Sequence, residues 1–183
     1  AYPDYVQKLL ALFAEDTSEE VSEQKEIKYP LYSIDDFLNE VYMDEDTYNT
    51  LTELLEAKYN VILQGAPGVG KTFAAKRLAY SIMGQKDTSR VAMVQFHQSY
   101  SYEDFIQGYR PSKDGFELEN GTFYKFCKEA EEDNERPYFF IIDEINRGNL
   151  SKILGELMML IEKDKRGEKI KLLYSNEWFT VPQ

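Results

Sequence analysis

Apolar residues recur along the chain at spacings that alternate between those of strands and helices. Two short helices are predicted first, one behind a Ser33 cap and one after Asp46. The later segments that the pattern predicts are, in order, a strand at 61–64, a glycine-rich turn at 65–70, a helix at 72–83, a strand at 91–96, a helix over 123–130, a strand at 138–142, a helix over 150–161, and extended pieces at 169–173 and 178–181. This alternation predicts an α/β fold.

The segment from Tyr138 to Ile142 carries the clearest topological signal. It is apolar without alternation, as a strand buried on both faces of a parallel sheet requires. We therefore expect a parallel sheet flanked by helices. At the amino-terminal end of the chain, a short amphipathic helix is expected at 4–14 and an acidic, aperiodic linker at 15–28. Residues 1–30 are therefore expected to precede one domain at 31–183.

Charge and composition exclude several classes of partner. The formal net charge is −12, and residues 1–60 hold 15 acidic against 4 basic side chains. Since a nucleic-acid footprint is a basic patch, any contact with DNA is expected to come from other parts or from an assembly of subunits. Apolar runs fall far short of the roughly 18 residues of a membrane span, and the residues after Ala1 lead us to expect no secretory signal. Cys127 is the only cysteine, which excludes an intramolecular disulfide and fits a reducing compartment. We expect it to be a small apolar filler on a helix.

Candidate chemistry begins at residues 65–72, Gly-Ala-Pro-Gly-Val-Gly-Lys-Thr, which match the phosphate-loop pattern G-x-x-x-x-G-K-[ST] in full. Glycines let the backbone N–H groups close around phosphates at a helix amino terminus, where the helix dipole favours an anion. Lys71 is expected to reach the β and γ phosphates, and the Thr72 hydroxyl to coordinate Mg²⁺. The predicted strand before the loop and helix after it supply the context that the pattern needs.

A second constellation is the acidic pair Asp143 and Glu144, which ends the apolar strand. Side chains at the carboxyl end of a parallel strand emerge into the crevice where open α/β sheets bind ligands. Asp143 is expected to hold the magnesium ion, and Glu144 to orient or deprotonate the attacking water. This arrangement predicts a P-loop nucleoside triphosphatase.

Between the two motifs lies a long connection, residues 97–121, rich in tyrosine and glutamine. Loops of this length in compact domains are usually functional or disordered. We favour a functional loop, because an aromatic and amide surface is typical of contact with a partner. The alternative is a surface loop whose tyrosines anchor it to its own domain. His97, the only histidine, cannot complete a four-ligand zinc site with one cysteine.

Three segments carry a family resemblance: GAPGVGKT at 65–72, VQFHQSYSYEDFIQGYRP at 94–111 and FIIDEINRGNLSKILGELMMLIE at 140–162. Together they resemble the McrB family, the AAA+ motors of restriction systems that act on modified cytosine. The resemblance implies a GTP-hydrolysing ring, usually a hexamer, that works in the cytoplasm, recruits an McrC-like nuclease and drives cleavage of DNA. It implies no membrane partner.

The resemblance also assigns residue roles. Catalysis falls to Glu144, Lys71 and Asn146, and the implied nucleotide contacts are Gly65, Pro67, Gly68, Val69, Gly70, Lys71, Thr72, Phe73, Asp143, Tyr42 and Met43. Asn146 and Arg147 are expected near the phosphates or at a subunit boundary; the alternative makes Asn146 a helix cap and Arg147 half of a surface ion pair. AAA+ folds place the base against residues before the first strand, here 41–43. No N-K-x-D motif is present to select guanine.

By the family resemblance, the sensor strand, arginine finger and helical lid are expected to follow residue 183 and so to be absent from this sequence. We therefore expect a C-terminally truncated AAA+ sheet, and an isolated chain that does not hydrolyse triphosphate at a motor's rate. Two other functions stay open at this point. One is a MoxR-like ATPase chaperone that prefers ATP, and the other is an assembly module that binds nucleotide without hydrolysing it.

Overall fold

The computed structural model describes residues 29–183, so the predicted helix at 4–14 and linker at 15–28 lie outside the described residues. The helices are α1 (Ile34–Glu40), α2 (Glu45–Lys58), α3 (Lys71–Met83), α4 (Tyr102–Phe105), α5 (Thr122–Glu132) and α6 (Leu150–Leu154). The strands are β1 (Val91–Gln95), β2 (Gln107–Ser112), β3 (Gly115–Asn120), β4 (Phe139–Asp143), β5 (Ile170–Lys171) and β6 (Trp178–Phe179). The predicted α/β class is confirmed.

Strands β1 and β4 form the parallel pair at the centre of the fold. Val91 lies opposite Phe139 and Gln95 opposite Asp143, and the Phe96 N–H extends the ladder by donating to the Asp143 carbonyl at 2.9 Å. Helix α5 lies in the crossover that parallel strands require. The predicted parallel geometry is confirmed, although β4 is only half-buried along its whole length.

The strand predicted at 61–64 is wrong. These residues pair with no strand in the described part of the chain, where the parallel sheet contains only β1 and β4. The Ile62 side chain is 79% exposed. An apolar run signals burial, but a strand also needs a partner for its backbone groups. The segment is anchored at its start instead, where the Asn60 amide donates to the Ile161 carbonyl at 2.6 Å and Arg166 donates to the Tyr59 carbonyl at 3.2 Å.

The two amino-terminal helices pack on helix α3. Ser33 caps α1 in a reciprocal capping box with Asp36, and Asp44 caps α2 through the Thr47 N–H. The core that they share is formed by Tyr32, Phe37, Val41, Tyr48, Leu78 and Tyr80. None of the helices between residues 29 and 183 is long and apolar enough to cross a bilayer.

The single helix predicted over 150–161 is broken at Gly155. Helix α6 ends at Leu154, and Gly155–Met159 forms a 3₁₀ turn. Gly155 has φ 52° and ψ −130°, a conformation open chiefly to glycine, and a Cβ there would lie 3.2 Å from the Tyr102 ring. The apolar period identified the buried side of this segment, since Leu157 is fully buried. It could not identify the glycine's backbone geometry.

The connection 97–121 is ordered rather than an irregular loop, which corrects the sequence prediction. It contains helix α4 and an antiparallel hairpin of β2 and β3. Ser112 pairs with Gly115, which leaves Lys113 and Asp114 as a two-residue turn. The Asp-Gly dipeptide at 114–115 is a hairpin signal in the sequence, although it would place the turn one residue later than the structure does.

Candidate functional site

Residues 65–70 form an exposed turn that leads into helix α3. Gly68 and Gly70 have φ of +80° and +81°, where a side chain costs about 1–2 kcal/mol. Within residues 29–183, no atom lies within 4 Å of the place that a Cβ would occupy at either position, so backbone conformation, and not lack of space, requires these glycines. Pro67 is exposed within this turn, and the Val69 side chain is 62% exposed. The predicted glycine-rich turn is confirmed.

No side chain in the described part of the chain caps the amino end of helix α3. Its N-cap is Gly70, and its first turn contains no acidic residue. The first amide N–H groups of a helix have no partner inside it and, with the helix dipole, suit a bound anion. The Lys71 ammonium lies against the same turn, donating to the carbonyls of Gly65 at 3.0 Å and Ala66 at 2.8 Å. Positive charge therefore concentrates where the sequence predicted a phosphate site.

The acidic pair lies at the carboxyl end of β4, as predicted. Asp143 is the last residue of the strand and half-buried, and its Oδ1 accepts the Glu144 N–H at 3.0 Å. Glu144 has φ 51°, a left-handed conformation that is uncommon outside glycine and is enriched at functional sites. Helix α3 contacts strand β4, so the elements that carry the glycine turn and the acidic pair belong to one packed unit.

Asn146 and Arg147 follow on a 3₁₀ turn, Ile145–Arg147. Arg147 forms an exposed ion pair with Glu144, its Nε lying 2.9 Å from Oε2, so the ion-pair alternative holds for Arg147. The helix-cap alternative is wrong for Asn146, because Asn149 caps α6 by accepting the Lys152 N–H at 3.1 Å. Asn146 itself is exposed.

The residues proposed to face the base differ in their exposure. Val41 is buried, Met43 packs at the edge of the amino-terminal core, and Tyr42 is fully exposed. Phe73, in the first turn of α3, is 42% exposed. Its ring lies against the Arg77 guanidinium, whose central carbon is 3.9 Å from the ring centre.

A charged cluster beside these residues was missed by the sequence analysis. The Glu40 carboxylate accepts hydrogen bonds from Arg77 Nε at 2.8 Å, Lys86 Nζ at 3.1 Å and the Tyr32 hydroxyl at 3.2 Å. The hydrogen bonds from Arg77, and to a lesser extent from Lys86, lower the pKa of Glu40 to about 2. Burial, together with the hydrogen bond to Glu40, raises the pKa of Tyr32 to about 12. Its hydrogen-bonded pairs lie up to 46 residues apart in the sequence, and no local spacing predicts such a cluster.

Much of the segment 97–121 is tied into its own domain. The Tyr102 hydroxyl donates to Glu156 at 2.7 Å, Tyr174 donates to Glu103 at 2.6 Å, and the buried Gln107 accepts the Ser175 N–H at 2.9 Å. On the hairpin, Tyr109 and Phe116 are 53% and 72% exposed. Tyr102 therefore anchors the segment to its own domain, and partner contact by the hairpin stays a prediction. Cys127 is buried on α5 as predicted, and burial raises its pKa to about 12.

A glycine turn opening an uncapped helix, with its lysine on the turn and an acidic pair at the end of a neighbouring parallel strand, defines a P-loop nucleotide-binding domain. The model of the AAA domain family, dynein-related subfamily, matches residues 60–177, and the chain belongs to that family. Its sequence is McrB-like, as the resemblance implied.

Two curated relatives carry names from restriction systems. The chain is 57% identical over 157 residues to the type IV methyl-directed restriction enzyme EcoKMcrB subunit of Escherichia coli strain K12, covering 83% of this chain and 34% of the relative. It is 29% identical over 136 residues to the type II restriction enzyme BsuMI component YdiS of Bacillus subtilis strain 168, covering 60% of this chain and 39% of the relative. The chain thus spans well under half the length of either protein.

Proposed function

We propose that the chain binds and hydrolyses a nucleoside triphosphate, GTP in preference to ATP, as the motor of a restriction complex that cleaves DNA containing modified cytosine. The observation that carries the proposal is the uncapped amino end of α3, with Lys71 lying on its glycine turn. An anion held there lies beside the strand that ends in Asp143 and Glu144. The phosphate-binding turn and the proposed water-activating carboxylate therefore lie on adjacent elements.

Each group has a distinct task in this proposal. The first amides of α3 and Lys71 bind the β and γ phosphates through charge-assisted hydrogen bonds. Glu144 orients the attacking water and accepts its proton. Its ion pair with Arg147 is exposed, and such pairs contribute only about 0–1 kcal/mol, so the carboxylate can change partners at little cost. Asn146, exposed on the following turn, is proposed to contact the phosphates or a neighbouring subunit.

The donor groups present fit magnesium. Thr72 offers a hydroxyl and Asp143 a half-buried carboxylate, and proteins hold Mg²⁺ with one or two carboxylates together with the substrate's phosphates. When bound, the ion neutralises phosphate charge during transfer. Thr72 and Asp143 are accordingly the proposed metal ligands.

We further propose that the motor works in the cytoplasm as a homo-oligomeric ring, hexameric as in the resembled family, with an McrC-like nuclease and with DNA bound through other domains or through the ring. Both relatives bear restriction-enzyme names, one of them methyl-directed. This supports a restriction function over the MoxR-like chaperone, to which neither name points.

An equilibrium titration of the full chain with GTP and ATP, each with Mg²⁺, tests the nucleotide part of the proposal. We expect saturable binding of both, with GTP the tighter ligand, and GDP tighter than ADP. Equal displacement of labelled GTP by ATP and GTP would refute the stated preference. Absence of saturable binding by either would refute the proposed function itself.

A further inference from the structure

The charged cluster of Glu40 with Tyr32, Arg77 and Lys86, here called the Glu40 cluster, joins the two regions that a nucleotide in the proposed site would span. Glu40 is the last residue of α1 and directly precedes residues 41–43, the proposed base contacts. Arg77 lies on α3, four residues after Phe73 and thus about 6 Å further along the helix axis. The Glu40–Arg77 hydrogen bond of 2.8 Å therefore links the end of α1, next to the proposed base contacts, to helix α3, whose amino end is proposed to hold the phosphates.

Arg77 is held on two sides. Its Nε is committed to Glu40, and its guanidinium carbon lies 3.9 Å from the centre of the Phe73 ring. Its two terminal nitrogens have no hydrogen-bond partner within residues 29–183, and 25% of the side chain is exposed. A guanidinium with fixed orientation and two available donor nitrogens is pre-organised for a ligand that offers two acceptors side by side.

Guanine and adenine differ at the edge that such a fork can recognise. Guanine presents two acceptors there, N7 and O6, whereas adenine presents the N7 acceptor beside an N6 donor. A bidentate arginine contact therefore suits guanine and leaves a donor facing a donor with adenine. Lysine, a point donor, lacks this fork geometry.

We propose that Arg77 selects the base of the bound nucleotide by donating to O6 and N7 of guanine, and that Glu40 is a positioning residue that orients it for this contact. This inference rests on the proposed function, since it assumes a nucleotide whose phosphates lie at residues 65–72. It accounts for a guanine preference in a chain without an N-K-x-D motif. It also gives a reason for the placement of Glu40, whose three donors come from three separate segments.

Inosine triphosphate separates this contact from other sources of selectivity, because it keeps O6 and N7 but lacks the guanine amino group. Affinities of the full chain for GTP, ITP and ATP, with Mg²⁺, are measured by calorimetry for the wild type, Arg77→Lys, Arg77→Ala and Glu40→Gln. We expect the wild type to bind GTP and ITP about equally, and both about 10-fold or more tighter than ATP, within the range of one bidentate contact. Both Arg77 variants should lose this difference while ATP affinity stays within about twofold.

Glu40→Gln should give an intermediate loss of discrimination, since it keeps the shape but weakens the hold on Arg77. Lys76→Ala, on the same helix and outside the cluster, is the matched control and should leave all three affinities unchanged. An equal fall in affinity for GTP, ITP and ATP in Arg77→Lys would overturn the inference in favour of a phosphate or folding role. Unchanged discrimination in that variant, or ITP bound like ATP by the wild type, would also overturn it.

Failure of the inference and failure of the proposed function are distinguishable. If the wild type binds no triphosphate, the proposed function fails and base selection by Arg77 falls with it. If the wild type binds triphosphates but Arg77→Lys discriminates among them as before, only the inference fails. Circular dichroism of each variant identifies any that has not folded, and the conservative Arg77→Lys change then supplies the decisive comparison.

Discussion

The Arg147 guanidinium holds the Glu144 carboxylate with two hydrogen bonds, from Nε at 2.9 Å and from Nη2 at 3.4 Å. The residues lie at the two ends of one turn, in which the Arg147 N–H also donates to the Glu144 carbonyl at 2.8 Å. Glu144 takes a left-handed backbone, with φ 51°. The carboxylate proposed to act on water is therefore held by its own neighbours in an accessible position.

Glu144→Gln should abolish turnover while preserving binding. Loss of a general base typically costs 10²–10⁴-fold in rate, and an amide keeps the size and polarity of the side chain. With the assembled motor and its nuclease, we expect phosphate release to fall by about 100-fold or more and triphosphate affinity to change by less than about threefold. A variant with undiminished turnover would remove Glu144 from the chemistry.

Arg147→Ala should have little effect on stability. The ion pair is exposed, with side-chain exposures of 62% for Arg147 and 35% for Glu144, and such pairs contribute about 0–1 kcal/mol. Arg90→Ala is the informative contrast, since Arg90 and Asp87 are 3% and 1% exposed. Removing one partner of a buried pair costs about 3–5 kcal/mol. Urea unfolding of both variants measures the difference in free energy of unfolding. Equal losses would contradict the expectation that the buried pair contributes more to stability than the exposed pair.

The sequence predicted those parts of the site that are local in the chain. The glycine turn, Lys71 and the acidic pair are each specified by neighbouring residues, and helix α3 and strand β4 fall where the apolar period placed them. The Glu40 cluster could not be predicted, because it brings together side chains from residues 32, 40, 77 and 86. Polar contacts between distant segments depend on how the helices pack, and such contacts leave no periodic signal in the sequence.

Gly70→Ala should impair both stability and nucleotide binding. The residue has φ +81°, so alanine costs about 1–2 kcal/mol and displaces the turn from its phosphate-binding shape. Gly84→Ala is the matched control, since Gly84 has φ +72° at the opposite end of the same helix. We expect a similar loss of unfolding free energy in both variants, with triphosphate affinity reduced only in Gly70→Ala. Reduced affinity in both would point to a general loss of structure.

Stability at acidic pH should depend on Glu40. Its folded-state pKa of about 2 lies below the ordinary value of 4.5, because Arg77 and Lys86 donate to the carboxylate. A depressed pKa contributes stability that is complete above pH 4.5 and is lost as the pH falls towards 2. Wild type should therefore be more stable than Glu40→Gln at pH 7, and the difference should shrink between pH 4.5 and 2. Unfolding by denaturant at pH 7, 4 and 3 checks this, and a constant difference would contradict it.

The errors of the sequence prediction share a physical cause. Val61 to Leu63 is apolar enough for a strand, but a strand exists only when a neighbour accepts its backbone hydrogen bonds, and none does so within the described range. Leu150 to Ile161 has the period of one helix, but the backbone conformation of Gly155 interrupts the hydrogen bonds of an α-helix. In both cases backbone pairing or backbone conformation decided the element, and the side-chain pattern alone could not predict it.

The most direct test of the central claim is calorimetric titration of the full chain and of Lys71→Ala with GTP and Mg²⁺. The Lys71 ammonium lies on the glycine turn, 3.0 Å and 2.8 Å from the carbonyls of Gly65 and Ala66. A phosphate is proposed to bind at this turn, and a charge-assisted hydrogen bond between lysine and phosphate is among the strongest hydrogen bonds. We predict saturable one-to-one binding by the wild type and its loss in a Lys71→Ala variant whose circular dichroism is unchanged. Undiminished affinity in that variant would contradict the assignment of residues 65–72 as the phosphate site.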